Sequence, residues 1–207
     1  MKNEYLKQGR VNQKQETRDR ILKSAQEFMN SGEKFTLEDV ANRANLSRAT
    51  VYRYYSNIDV LSAEAGLDIN TISPENIYES LQSNEIKEQL LGVQEYYNNL
   101  AIEHEKAFRN YLSIVLASNL QTNNKRGARR NRTLNMVLNE SNLSKKEIQN
   151  FQNLFTVLMG IEPLIVTKDV CGLNDRQSKK LLKWGMELIL KGISIDKKNS
   201  KFSTYPK

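Results

Sequence analysis

Residues 36–55 read TLEDVANRANLSRATVYRYY, and each half of this stretch has the caps and spacing of a short helix. Thr36 stands as an N-cap whose hydroxyl accepts from an orphan backbone N–H, and Asp39, three residues on, completes an approximate capping box. Leu37, Val40, Ala41 and Ala44 then recur at helical spacing. Ser47 supplies a second N-cap after only Asn45 and Leu46, so the chain must turn sharply. Asn45 is the residue there that best tolerates the left-handed conformation. Ala41 is small enough to let the two helices approach, and Val51 can face the core beside Leu46. That leaves Arg48, Ala49, Thr50, Tyr52, Arg53 and Tyr54 outward and towards the start of the second helix. The pair reads as a helix-turn-helix whose second helix suits a DNA major groove.

Composition agrees with such a partner but is not what identifies it. Lys and Arg number 31 against 24 Asp and Glu, giving a net charge of +7 and a pI of about 9.4. The excess sits at the far end. Residues 1–66 carry 11 bases and 9 acids, 67–124 carry 3 and 8, and 125–207 carry 17 and 7. The case for DNA therefore rests on where residues stand in the motif, not on bulk charge.

The remaining sequence predicts an all-α chain. There are three Pro and nine Gly, and no alternating strand-like runs bounded by turn residues. Cys171 is the single cysteine and reads as a reduced thiol. The N-terminal residues lack the apolar core of a signal peptide, and no apolar run approaches the roughly 20 residues that span a bilayer, so a cytoplasmic protein without a membrane partner is expected. Residues 1–16 are polar and aperiodic and are expected to form a flexible arm. A first helix is predicted over 17–30, with Ile21, Leu22, Ala25, Phe28 and Met29 on one stripe and Gly32 as its stop. A further helix over about 56–70 joins this small domain, 17–70, to a larger helical one, 71–207, the boundary falling near Ser73 and Pro74. In the larger domain helices are predicted over 86–103, 105–120, 131–139, 145–168 and 175–195. Ser144 with Glu147 and Asn174 with Gln177 mark two of the starts. Pro163 should kink the helix in which it lies.

Residues 17–65 resemble the DNA-binding domain of the TetR family of bacterial transcriptional regulators. The resemblance runs from the Ile21, Leu22, Ala25, Phe28 stripe through TLEDVA, the turn at Asn45, Leu46 and Ser47, ATVYRYY, and Leu61. CGLND at 171–175, followed by Trp184 and LILKG, is similar to the last connection and last helix of many members. Ile58 stands where members often carry a phosphate-contacting Lys, so that contact must pass to Asn57 or another residue. Asn45 replaces the commoner Gly of the turn.

The resemblance implies a dimeric repressor that binds a palindromic double-stranded DNA operator and is released by a small-molecule effector. The candidate DNA contacts are Thr36, Ser47, Arg48, Ala49, Thr50, Tyr52, Arg53, Tyr54 and Asn57. Arg48 and Arg53 can neutralise phosphate or grip guanine with two hydrogen bonds, the hydroxyls reach phosphate oxygens, and Thr36 opens a helix whose N–H groups favour an anion. Tyr55 reads as core. A stripe of Phe108, Tyr111, Leu112 and Val115, with His104 one turn earlier, either lines an effector cavity with Phe155 and Met159 or is plain core. His104 has no companion at metal-ligand spacing, and neither a metal nor a cofactor is expected. The apolar residues of 145–168 and of the last helix, among them Phe151, Leu154, Leu158, Trp184 and Leu188, exceed what one neighbour covers and suggest a homodimer interface. The run KRGARRNR at 125–132 is either a solvated loop and helix start or an anion site. A DNA-binding architectural or occlusion protein of the same fold, without effector, is the alternative. No Gly-rich phosphate loop, nucleophile elbow or base-and-nucleophile set supports an enzyme.

Overall fold

The computed structural model describes residues 2–68, 71–82, 85–117 and 127–193. Every regular element among them is helical, as the sequence led us to expect. In order these are α1 (Lys2–Ser31), α2 (Leu37–Arg43), α3 (Arg48–Tyr54), α4 (Ile58–Asp68), α5 (Pro74–Leu81), α6 (Ile86–Glu103), α7 (Glu105–Ala117), α8 (Ala128–Leu138), α9 (Lys145–Val157), α10 (Ile161–Ile165), a π-helical turn (Val166–Val170) and α11 (Asp175–Gly192). They form two compact units. The first comprises α1 to α4 with α7 from Lys106 onward, and the second comprises α5, α6, and α8 to α11.

The first unit closes around the predicted stripe. Ile21, Leu22, Ala25 and Phe28 of α1 meet Leu37, Val40 and Ala41 of α2, Val51 and Tyr54 of α3, Tyr55, and Val60, Leu61 and Ala65 of α4. Several of these are wholly buried, and burying a Leu or Ile side chain contributes roughly 1.5–3 kcal/mol. Polar groups pin the elements at the rim. Arg20 donates to the carbonyls of Ala44 and Asn45, fastening the α2–α3 turn to α1. Gln26 donates to the Ala65 carbonyl at 3.2 Å and to Asp68 at 3.1 Å, and Arg18 pairs with Glu64. Two findings differ from the sequence reading. α1 begins at Lys2, so residues 2–16, expected to form a flexible arm, are helical. α7, assigned by sequence to the second domain, belongs to the first unit because Ile114 and Val115 pack on its core.

In the second unit α6 packs against α5, α8, α10 and α11, burying Leu90 and Val93 with Leu134, Leu138, Phe155, Met159, Leu164 and Met186. The helix expected over 145–168 is two helices. α9 ends at Val157 and Gly160, at φ 88° and ψ −162°, turns the chain. Pro163 therefore sits in the first turn of α10, where its missing N–H has no intrahelical partner to lose. It starts a helix and does not kink one. The break leaves backbone groups inside the unit, and side chains answer them. Gln94 donates to the Leu158 carbonyl (3.0 Å) as well as to that of Leu182 within α11 (2.9 Å), the Gly160 N–H donates to Asn98 at 2.8 Å, and Arg130 donates to the Met159 carbonyl while pairing with both oxygens of Glu162. A Cβ on Gly160 would collide with the Arg130 guanidinium, and that backbone conformation is essentially restricted to glycine. Gly160→Ala should therefore cost at least about 1–3 kcal/mol, read as a lower midpoint in urea unfolding. An unchanged midpoint would show that the break does not need glycine.

Candidate nucleic-acid interface

Both capping predictions in the motif hold. Thr36 has extended backbone; the Asp39 N–H donates to its Oγ1 at 3.2 Å, and the Thr36 N–H and hydroxyl donate to Asp39 Oδ2 at 2.8 and 2.7 Å. The Thr36 hydroxyl holds the Asp39 carboxyl below its ordinary value. Asn45 takes the left-handed conformation at φ 51°, and the Leu46 N–H donates to the Ala41 carbonyl at 2.9 Å, closing the turn over the buried Ala41. Ser47 then caps α3, accepting from the Thr50 N–H at 3.1 Å.

With Val51 wholly buried, the opposite side of α3 is fixed. Ser47, Arg48, Ala49, Tyr52 and Arg53 are exposed and Thr50 is half-buried, its hydroxyl within 2.8 Å of the Ser47 hydroxyl. Arg48, Ala49, Tyr52 and Arg53 form one stripe because positions four apart share a helix face. Tyr54 is not on it. Three residues after Val51, it turns inward, is 8 % exposed, and donates its hydroxyl to the Lys14 carbonyl at 3.3 Å. Its sequence assignment to the outer surface is corrected accordingly. Tyr55 is core, as expected. Asn57 accepts from the Val60 N–H at 2.9 Å and so caps α4, while Ile58 packs on the core. The start of α2, expected to attract phosphate, already carries Glu38 and Asp39 in its first turn.

Sequence reasoning missed Glu38. Its Oε1 accepts from Arg48 Nη2 at 2.5 Å and from the Tyr52 hydroxyl at 2.8 Å. Spacings of 10 and 14 residues carry no helical signal; only the crossing of α2 and α3 brings the three together.

The other candidates are scattered. Phe108 and Tyr111 are half-buried on α7 in the first unit, whereas His104, Phe155 and Met159 belong to the second, the last two with no exposure. A broad groove of about 610 Å³ in the first unit, edged by Asn57, Asp59, Ser62, Asn110 and Ile114, includes none of these five. Phe151, Leu154 and Leu158 are at α9, which packs on α8, whereas Trp184 and Leu188 are on α11, which packs on α6, α10 and the π-helical turn. Of the basic run, Arg129 reaches the Ile72 carbonyl, Arg130 pairs with Glu162, and Arg132 pairs with Glu75 at 2.6 Å, so these three cations serve the fold. Lys125 and Arg126 lie outside the described residues.

Residues 24–65 match the family model described as bacterial regulatory proteins, tetR family. That segment is the DNA-binding domain of a transcriptional regulator of that type. The matched segment begins within α1, takes in α2, the turn and α3, and ends at the buried Ala65 of α4, so it coincides with most of the packed core of the first unit. No curated protein and no solved structure matches the chain. Among the described residues no helix of the regulator is long and apolar enough to cross a membrane.

Proposed function

We propose that this regulator is a cytoplasmic homodimeric repressor that lays α3 of each protomer in the major groove of a palindromic double-stranded DNA operator and is released by a small-molecule effector. One observation carries the DNA half: a stripe of Arg48, Ala49, Tyr52 and Arg53 stands exposed on a helix whose other side is locked by Val51 and Tyr54. Arg48 and Arg53 take the base-edge or phosphate contacts, Tyr52 stands beside Arg48 on the same face, and Thr36, Ser47, Thr50 and Asn57 position the backbone. Two protomers must then hold their α3 helices one turn of DNA apart, roughly 34–36 Å, or a multiple of it. The effector half rests on the resemblance of the sequence to the family, and release requires an effector that binds two arrangements of the regulator unequally.

Selection of bound duplexes from a random pool tests the proposal, followed by a screen for small molecules that abolish binding. The selected sequence should be an inverted repeat. Losing a bidentate base contact through Arg48→Ala or Arg53→Ala is expected to cost about 1–3 kcal/mol of affinity and relax preference at one position; losing a phosphate contact instead weakens all sequences alike and flattens the salt dependence. Undiminished affinity in both variants would remove α3 from the interface. Binding that no small molecule disturbs would favour an occlusion protein without effector.

A further inference from the structure

The acid on α2 that grips the outward face of α3 is costly for a DNA-binding surface unless it does something there. Glu38 joins Arg48 and Tyr52, one helical turn apart, through a single carboxylate oxygen at 2.5 and 2.8 Å. All three are at the solvent-facing side, the Arg48 side chain being 70 % exposed. An exposed ion pair of this kind adds little to stability, so its contribution is sought in binding. The Tyr52 hydroxyl first, and Arg48 after it, holds the Glu38 carboxyl below its ordinary value, so it is ionised at neutral pH; Glu38 in turn raises the Tyr52 hydroxyl, which stays protonated and donating.

We propose that Glu38 is the positioning and specificity-determining residue of the interface, presenting Arg48 and Tyr52 to base edges as one preset pair while weakening attraction to DNA of any sequence. The inference rests on α3 being the reading helix. Arg and Tyr side chains lose rotamer freedom when they bind, and a side chain already held loses less. Arg48 gives one Nη2 hydrogen to Glu38 and keeps other donors of the guanidinium fork for a partner such as the O6 and N7 acceptors of guanine. Phosphate contacts carry no sequence information and respond to net charge, so a fixed anion beside Arg48 subtracts from binding to every duplex alike. Orientation and charge thus raise the ratio of operator to random binding from opposite ends.

The two effects separate by substitution. Affinities are measured at several salt concentrations for the duplex that the parent selects from a random pool and for a random duplex of equal length. Glu38→Ala should bind the random duplex several-fold more tightly, with a salt slope steeper by about one, and the operator-to-random ratio should fall by about tenfold. Glu38→Gln keeps an acceptor oxygen but no charge, so it should bind random duplex like the Ala variant yet retain more of the ratio. Tyr52→Phe, which leaves Glu38 intact and removes one of its two donors, should lower the ratio without steepening the slope. A ratio unchanged within twofold in Glu38→Ala overturns the proposal, as does a Gln variant with no advantage over Ala. Arg48→Ala serves as the control: undiminished operator affinity there would overturn the reading of α3 itself, whereas a loss there with Glu38→Ala unaffected would overturn Glu38 alone.

Discussion

Glu64→Ala is expected to destabilise the first unit by about 3–5 kcal/mol, because it leaves the Arg18 guanidinium inside the fold without its counter-charge. Both side chains are largely buried, at 15 % and 14 % exposure. Burial by itself disfavours the Arg18 cation, but Glu64, followed by the Tyr55 hydroxyl, more than reverses this and holds the group above its ordinary value. Tyr55 is 2 % exposed, and burial, reinforced by Glu64, keeps its hydroxyl protonated. The cluster thus joins α1, α4 and the residue that ends α3. Replacing both charges, as Arg18→Met with Glu64→Leu, should recover most of the loss, since packed apolar groups of similar size often substitute for a buried pair without penalty. Urea unfolding followed by circular dichroism gives the cycle. Trp184, the single tryptophan, lies in the second unit, so its fluorescence tells that unit's transition from the first. A single-variant loss below about 1 kcal/mol would mean that the pair behaves as if solvent-screened.

How far the sequence could be read depended on how locally each feature is determined. The capping residues Thr36, Ser47, Ser144 and Asn174, and the left-handed Asn45, are set by interactions spanning three or four residues, and all were legible. The end of α9 was not, because 145–168 keeps a helical apolar pattern through the break, and Pro163 drew attention from Gly160, whose conformation is what turns the chain. Tyr54 failed for a related reason. On a seven-residue helix that follows directly from a turn, inward and outward positions differ by one residue, and the step from Val51 to Tyr54 decides which is which. Glu38 depends on contacts 10 and 14 residues away, and the membership of α7 on contacts across tens of residues, to which no periodicity points. In the candidate site, the outward direction of the residues named from the motif was legible where the helix alone fixes it; the acid that pairs with two of them was not.

The face of α11 turned away from its own unit bears on the regulator as a whole. α11 commits Ser178, Leu182, Met186 and Leu190, four apart, to the interior, yet Leu181, Trp184 and Leu188 on another side are 39 %, 56 % and 47 % exposed. The π-helical turn packed against it adds the exposed Val166 and Val170. Exposed apolar side chains in this number on two packed elements suit a partner, and the proposed homodimer supplies an identical face. Trp184→Lys combined with Leu188→Lys should then separate the protomers, since a two-fold contact brings each new cation near its own copy. The effect on DNA should be far larger than on folding. Two linked half-site contacts gain about 10²–10⁴ in avidity over one, and a monomer forfeits all of it. Sedimentation at micromolar concentration reads the assembly, operator affinity reads the consequence, and unchanged circular dichroism shows that α11 still folds. A parent that sediments as a monomer, or a double variant that remains dimeric with full operator affinity, would place the contact elsewhere and leave the exposed tryptophan without this role.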